Sequence, residues 1–267
     1  MTVSETQQIE GLHQYLNETF KLPCGTEVKN RILKSAMSEQ LGTATNSPTK
    51  DLINIYRAWS QGGCGILVTG NIMIDRRALG EPNNVAVEDE RDLPILSQWA
   101  AAGSDNNTQL WAQLNHPGKQ TPKGLCKESV SPSAVPFAPD MQSFFATPRA
   151  LTETEILDII ERFGRSAAVV KKAGFTGVQI HGAHGYLVSQ FLSPHHNVRQ
   201  DKWGGSLENR MRFVLAVYDK IRENVGPDFP VSIKLNSADF QRGGFAEDES
   251  VVVMQTLAEK GIDLIEV

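Results

Sequence analysis

Between His181 and Tyr186 the sequence places two imidazoles and a phenol, His181, His184 and Tyr186, with Gly182 and Gly185 between them. Imidazole N–H groups can stabilise a developing oxyanion, and a phenol can deliver a proton. The glycines let the backbone come close to a flat ligand. Plainer readings exist. A His-x-x-His pair can be half of a metal site, but no Cys or carboxylate stands at zinc-ligand spacing, so no metal is expected. Taken alone, Tyr186 is an ordinary packed aromatic and Gln113 a satisfied polar residue at a strand end.

The apolar run Gly177-Val178-Gln179-Ile180 leads directly into this stretch, as a buried strand does when its carboxyl end opens onto a site. Polar residues stand at other strand ends too: Ser38, Asn71, Gln113 to His116, and Lys234 to Asn236. Lys234 closes the apolar strand Val231–Leu235, where an unpaired charge is costly, so a ligand-facing role is favoured.

Strands are read at 31–37, 65–69, 108–114, 178–180, 231–235 and 262–267. Helices start behind Ser47-Pro48, at Asp92, at the capping box Thr152–Glu155, at Ser206 and near Glu247. Asn71 to Asp89 reads as a polar loop, and Lys119 to Arg149 as irregular chain. Such alternation implies a parallel sheet with helical crossovers, an α/β fold. An open doubly wound sheet announces itself by GxGxxG after its first strand. Here Gly62-Gly63-Cys64-Gly65 precedes a strand instead. Chemistry collected from many strand ends is the habit of the (β/α)8 barrel.

With 267 residues, a net charge of −5 and 40% hydrophobic content, the chain suits one barrel domain behind an N-terminal extension over 1–21. The acidic balance argues against nucleic acid or an anionic membrane as partner. Cys24, Cys64 and Cys126 lack CxxC spacing and fit a reducing compartment. No signal peptide or membrane span is legible, so a cytoplasmic location is expected.

The run His181-Gly182-Ala183-His184-Gly185-Tyr186-Leu187, then Gln190–Pro194 and Asn197–Arg210, closely resembles the old yellow enzyme family of NAD(P)H:flavin oxidoreductases. Asn30-Arg31-Ile32, Ala36-Met37-Ser38, Gln113–Gly118 and Lys234–Phe240 support the resemblance, which covers the chain from about Leu22 onward. It implies an FMN-binding TIM barrel fed by NAD(P)H, acting on activated alkenes. Gln113 then meets the flavin pyrimidine edge, and Lys234 lies near its N1–O2 edge. Ala36, Met37 and Ser38 lie along the ring, and the backbone at Gly70 and Asn71 touches it. His181 and His184 hold the substrate's carbonyl or nitro oxygen, and Tyr186 protonates the α-carbon. Asn197, Arg199, Asp201, Asn209 and Arg210 read as a network fixing the loop after the fourth strand.

The sequence departs from the family in two places. Gly70-Asn71 replaces the usual Glu-Ala or Glu-Gly, and only about six of the eight βα units are present. Six strands cannot close. Unpaired edges, a water-facing inner core, weak FMN binding and aggregation are therefore expected, as for a fragment or a truncated gene product. Two alternative functions stand beside the first. One is a 2,4-dienoyl-CoA reductase-like flavoenzyme, which needs an iron–sulfur cysteine cluster; the other is a remnant that cannot retain FMN. The oligomeric state, homo-oligomer included, is not fixed by the sequence.

Overall fold

The structure, a computed structural model, describes residues 13–267. Part of the N-terminal extension, residues 1–12, lies outside the described residues. Parallel strands alternate with helices as the apolar pattern requires. In chain order they are β1 (Phe20–Lys21), β2 (Glu27–Val28), β3 (Leu33–Lys34), α1 (Lys50–Gln61), β4 (Ile66–Val68) and β5 (Ile72–Met73). There follow α2 (Leu93–Gly103), β6 (Gln109–Asn115), β7 (Val130–Ser131), β8 (Arg149–Ala150), α3 (Glu153–Ala173) and β9 (Gly177–Gly182). The chain continues through α4 (Leu187–Leu192), α5 (Leu207–Val225), β10 (Val231–Leu235), α6 (Glu247–Glu259) and β11 (Leu264–Glu266).

The main sheet runs β11-β10-β9-β6-β4-β3, every pair parallel, and β5 extends the carboxyl half of β6. Strand side chains alternate between faces with a period of two. Leu110, Ala112 and Leu114 of β6, and Val178 and Ile180 of β9, pack against the helices in the outer core. Trp111 faces the interior, in a second core with Leu22, Val28, Ile66 and Val68.

That second core corrects one expectation. Among the described residues β3 and β11 have no strand partner along their outer edges, but the inner core does not stand open to water. The β1–β2 hairpin supplies Leu22 and Val28, and Leu264 of β11 packs against the same cluster. The Cys24 N–H donates to Asp263 Oδ1 at 2.7 Å, tying the hairpin to the start of β11. Farther along, the Ser35 hydroxyl donates to the Glu266 carboxylate, so side chains link the two ends of the curled sheet without a strand pair.

Helix starts follow local chemistry. Thr152 and Glu155 form both halves of a capping box on α3, and Gly174 ends that helix in the left-handed region at φ 102°. Ser206 caps α5. For α1 the cap is Thr49, not Ser47. The supposed polar loop 71–89 contains β5 and a bridge between Met73 and Ala86, because Ile72, Met73 and Ile74 are all buried. Flanking polar residues hid that short apolar triplet. Helix α4 was also missed, since six residues carry too little periodicity to read. Among the described residues no helix is long and apolar enough to cross a membrane.

The interior packing sets a sharp limit at the start of β9. A Cβ on Gly177 would run into the Trp111 indole, which is fully buried and has nowhere to move. Gly177→Ala is therefore expected to cost about 1–3 kcal/mol of stability by overpacking. Chemical denaturation of the variant and the parent checks it, and equal midpoints would contradict the packing described here.

Candidate active site

At the carboxyl ends of the strands lies a cavity of about 280 Å³. Every residue that the sequence analysis gave a catalytic or cofactor-binding role lines it except Gly70. Gly70 stands behind the wall, where its N–H donates to the Tyr56 hydroxyl at 3.1 Å and to Glu39 Oε1 at 3.3 Å. A Cβ there would collide with the Met37 carbonyl and the Glu39 carboxylate. Its position lets two loops approach closely. Gln120 is the lining residue that the sequence reading missed. It lies in the irregular stretch after β6, which offers no periodic signal.

His181 is the penultimate residue of β9 and faces inward. Its Nδ1 accepts the Ala183 N–H at 3.4 Å, which leaves Nε2–H as its donor. The ring lies 5.2 Å from that of His184 and 4.8 Å from that of Tyr186, both edge-on. His184 adopts φ 59°, a conformation rare for a residue with a side chain. Two bonds hold it there: its N–H donates to Asn236 Oδ1 at 3.0 Å, and its carbonyl accepts Gln120 Nε2–H at 2.6 Å.

Burial, aided by His184 and Lys234, pushes the His181 imidazole down to about 3. Burial and then Lys234 lower His184 as well. Both rings are therefore neutral near pH 7, each with one N–H to donate. The Tyr186 phenol is shifted the other way, upward, by burial and then by the Glu81 carboxylate, against an opposing bond from Asn71. It stays protonated, the form that can give a proton. Ser38 points its hydroxyl at Glu81.

Two of the lining residues, Gln113 and Lys234, are joined through a polar chain. Gln113 Nε2–H donates to Gln179 Oε1 at 2.8 Å, and Gln179 Nε2–H donates to Glu266 Oε2 at 2.9 Å. Lys234 Nζ donates to Glu266 Oε1 at 2.7 Å. The cost of the cation at the end of β10 is thus offset by a carboxylate, a partner the sequence reading did not name.

The loop after β9 is fixed as expected. Asn197 donates to the carbonyls of Phe191 and Trp203, and Arg199 pairs with Asp201. Asn209 caps the Gly204 carbonyl, and Arg210 pairs with Glu249 while binding the Leu192 carbonyl. His116 lies in a separate cavity of about 420 Å³, and His195 and His196 line neither. No cluster of three metal-ligating side chains occurs among the described residues.

The donor set fits the ring of a flavin. Gln113 is an amide with one N–H spent on Gln179, leaving an acceptor and a second donor for an imide edge. Lys234 supplies a cation beside it. In phosphate-binding barrels the phosphate is held after strands seven and eight, and the described sheet reaches the sixth barrel strand.

The chain is 40% identical over 256 residues to the NADH-dependent flavin oxidoreductase nadA of Aspergillus parasiticus, covering 89% of this chain and 56% of that one. It is 36% identical over 247 residues to an NADH oxidase of Thermoanaerobacter brockii, covering 90% of this chain and 37% of the relative. It therefore spans about half the length of these relatives, or less. A solved complex of 2-naphthoyl-CoA reductase with 2-naphthoyl-CoA superimposes with a TM-score of 0.87 at 27% identity, over 95% of this chain and 40% of that one. An old yellow enzyme homologue from Zymomonas mobilis shares the fold, with a TM-score of 0.84 at 24% identity over 94% of this chain and 72% of that one. The family implies FMN as cofactor and NAD(P)H as electron donor. Matched from residue 18 to residue 267 by its family model, the chain belongs to the NADH:flavin oxidoreductase / NADH oxidase family.

Proposed function

We propose that this chain carries the catalytic half of an FMN-dependent NAD(P)H oxidoreductase that reduces activated alkenes, α,β-unsaturated carbonyl or nitro compounds. The observation that carries the reading is the convergence of His181, His184 and Tyr186 on the same cavity as Gln113 and Lys234. When bound, the flavin supplies the hydride, taken from NAD(P)H and passed to the β-carbon of the alkene.

The protein's part is positioning and proton management. Gln113 and Lys234 would hold the pyrimidine side of the ring, with Ala36, Met37, Ser38 and Asn71 available along it. His181 and His184, both neutral, donate N–H bonds to the substrate's carbonyl or nitro oxygen. Those bonds strengthen as negative charge builds there, so they favour the transition state over bound substrate. Tyr186 then gives its phenolic proton to the α-carbon.

The test is anaerobic turnover. The protein, supplied with FMN, is expected to oxidise NADH or NADPH only when a cyclic enone or nitroalkene is present, with the saturated product formed in equal amount. Oxidation of NAD(P)H with no saturated product would reject the alkene substrate and leave a flavin reductase. Turnover confined to enoyl-CoA thioesters would favour the dienoyl-CoA type instead.

A further inference from the structure

Among the described residues, one ionised group bonded directly to a lining residue of the cavity has no task in the proposed chemistry. Glu266, the last residue of β11, takes three side-chain hydrogen bonds: from Lys234, from Gln179 and from the Ser35 hydroxyl. Its side chain is 13% exposed and that of Lys234 17%, so solvent screens the pair only partly. Burial alone would raise the Glu266 carboxyl, but the bonds from Lys234, Ser35 and Gln179 outweigh it and hold the group below the usual carboxylate range. It is an anion at neutral pH.

Two consequences follow from this geometry. A carboxylate only accepts, so Gln179 must turn its NH2 toward Glu266 and its oxygen toward Gln113. Gln113 must in turn offer its NH2 to Gln179. Its oxygen is then left with no protein partner among the described residues. The charge of one strand end is passed through two amides into the orientation of a third. In addition, the anion at 2.7 Å cancels much of the positive field that Lys234 would present to the cavity.

We propose that Glu266 is a positioning residue for the cofactor: it fixes which way the Gln113 amide faces, and it sets the strength of the cation beside the flavin pyrimidine edge. The proposal rests on the flavin site proposed above. It leaves the Lys234–Glu266 pair near-neutral overall, suited to the neutral oxidised ring, and it limits how strongly Lys234 favours the reduced, anionic form. Glu266 therefore lowers the reduction potential of the bound flavin relative to a lone lysine at that position.

The experiment measures FMN affinity by fluorescence quenching, and the potential of the bound flavin against reference dyes, in the parent, Glu266→Gln, Glu266→Asp, Gln179→Leu and Lys234→Met. Glu266→Gln keeps size and removes charge. It is expected to favour the reduced flavin about tenfold, which for a two-electron couple corresponds to about 30 mV upward. Glu266→Asp, which keeps the charge, is expected to leave the potential near the parent value, and Lys234→Met to lower it. Gln179→Leu breaks the amide chain without touching the ion pair, so it is expected to weaken FMN binding about tenfold while the potential stays put. A purely structural Glu266 would lower thermal stability in the Gln variant and leave the potential unmoved. That result, with the Lys234→Met potential displaced, would overturn this proposal alone. If Lys234→Met also left the potential and affinity unchanged, or if the parent bound no FMN, the flavin site itself would fall.

Discussion

Tyr186→Phe is expected to slow reduction of the alkene by about 10²–10⁴-fold, the range for loss of a positioned general acid, while flavin reduction by NAD(P)H keeps its rate. The physical basis is a division of labour within one cavity. Only alkene reduction needs a proton delivered to carbon, and the phenol stays protonated because burial and the Glu81 carboxylate oppose its ionisation. The ring itself packs 4.8 Å from His181, so phenylalanine preserves shape and contact. Following the two half-reactions separately by anaerobic stopped flow distinguishes the roles. Equal loss in both would mean that Tyr186 shapes the pocket and does not donate.

His181→Ala is expected to lower alkene reduction by about 10²–10³-fold, the effect of deleting one oxyanion donor from a preorganised site. The pH dependence adds a second check. With its folded-state value near 3, His181 carries no acid limb in the activity profile between pH 5 and 8. The stability consequence has a definite sign. An unfolded histidine, near 6.5, binds a proton that the folded chain refuses, so the contribution of His181 to stability is full above about 6.5 and declines as pH falls toward 3. His116 and His196, each lowered to about 4 chiefly by burial, act in the same direction between about 6.5 and 4. His181→Gln should therefore flatten part of the acid slope of Tm against pH. A variant with the parent's slope would show that His181 is not held neutral.

The legible parts of this molecule are those where chemistry is local in sequence. His181, His184 and Tyr186 share one turn, so their meeting needed no knowledge of the fold. Helix starts at Thr152 and Ser206 were readable for the same reason, since the cap and its partner lie three residues apart. Gln113 and Lys234 came from the resemblance and from the cost of a charge at a buried strand end. What escaped was non-local. Glu266 meets Lys234 across 32 positions of sequence and Gln179 across 87, and Gln120 meets His184 across 64. Nothing in their own neighbourhoods marks such partners. The sealing of the inner core by the β1–β2 hairpin escaped likewise, because strands of two residues leave no periodic trace.

The central claim is that one cavity at the strand ends receives the flavin ring through Gln113 and Lys234. Titration of the protein with FMN and with riboflavin, followed by flavin fluorescence, tests it most directly when Gln113→Leu is compared with the parent. Both flavins are expected to bind the parent, and the substitution to weaken both by about tenfold or more, the loss of roughly 1.4 kcal/mol. Unchanged affinity for both flavins would place the ring elsewhere and contradict the account.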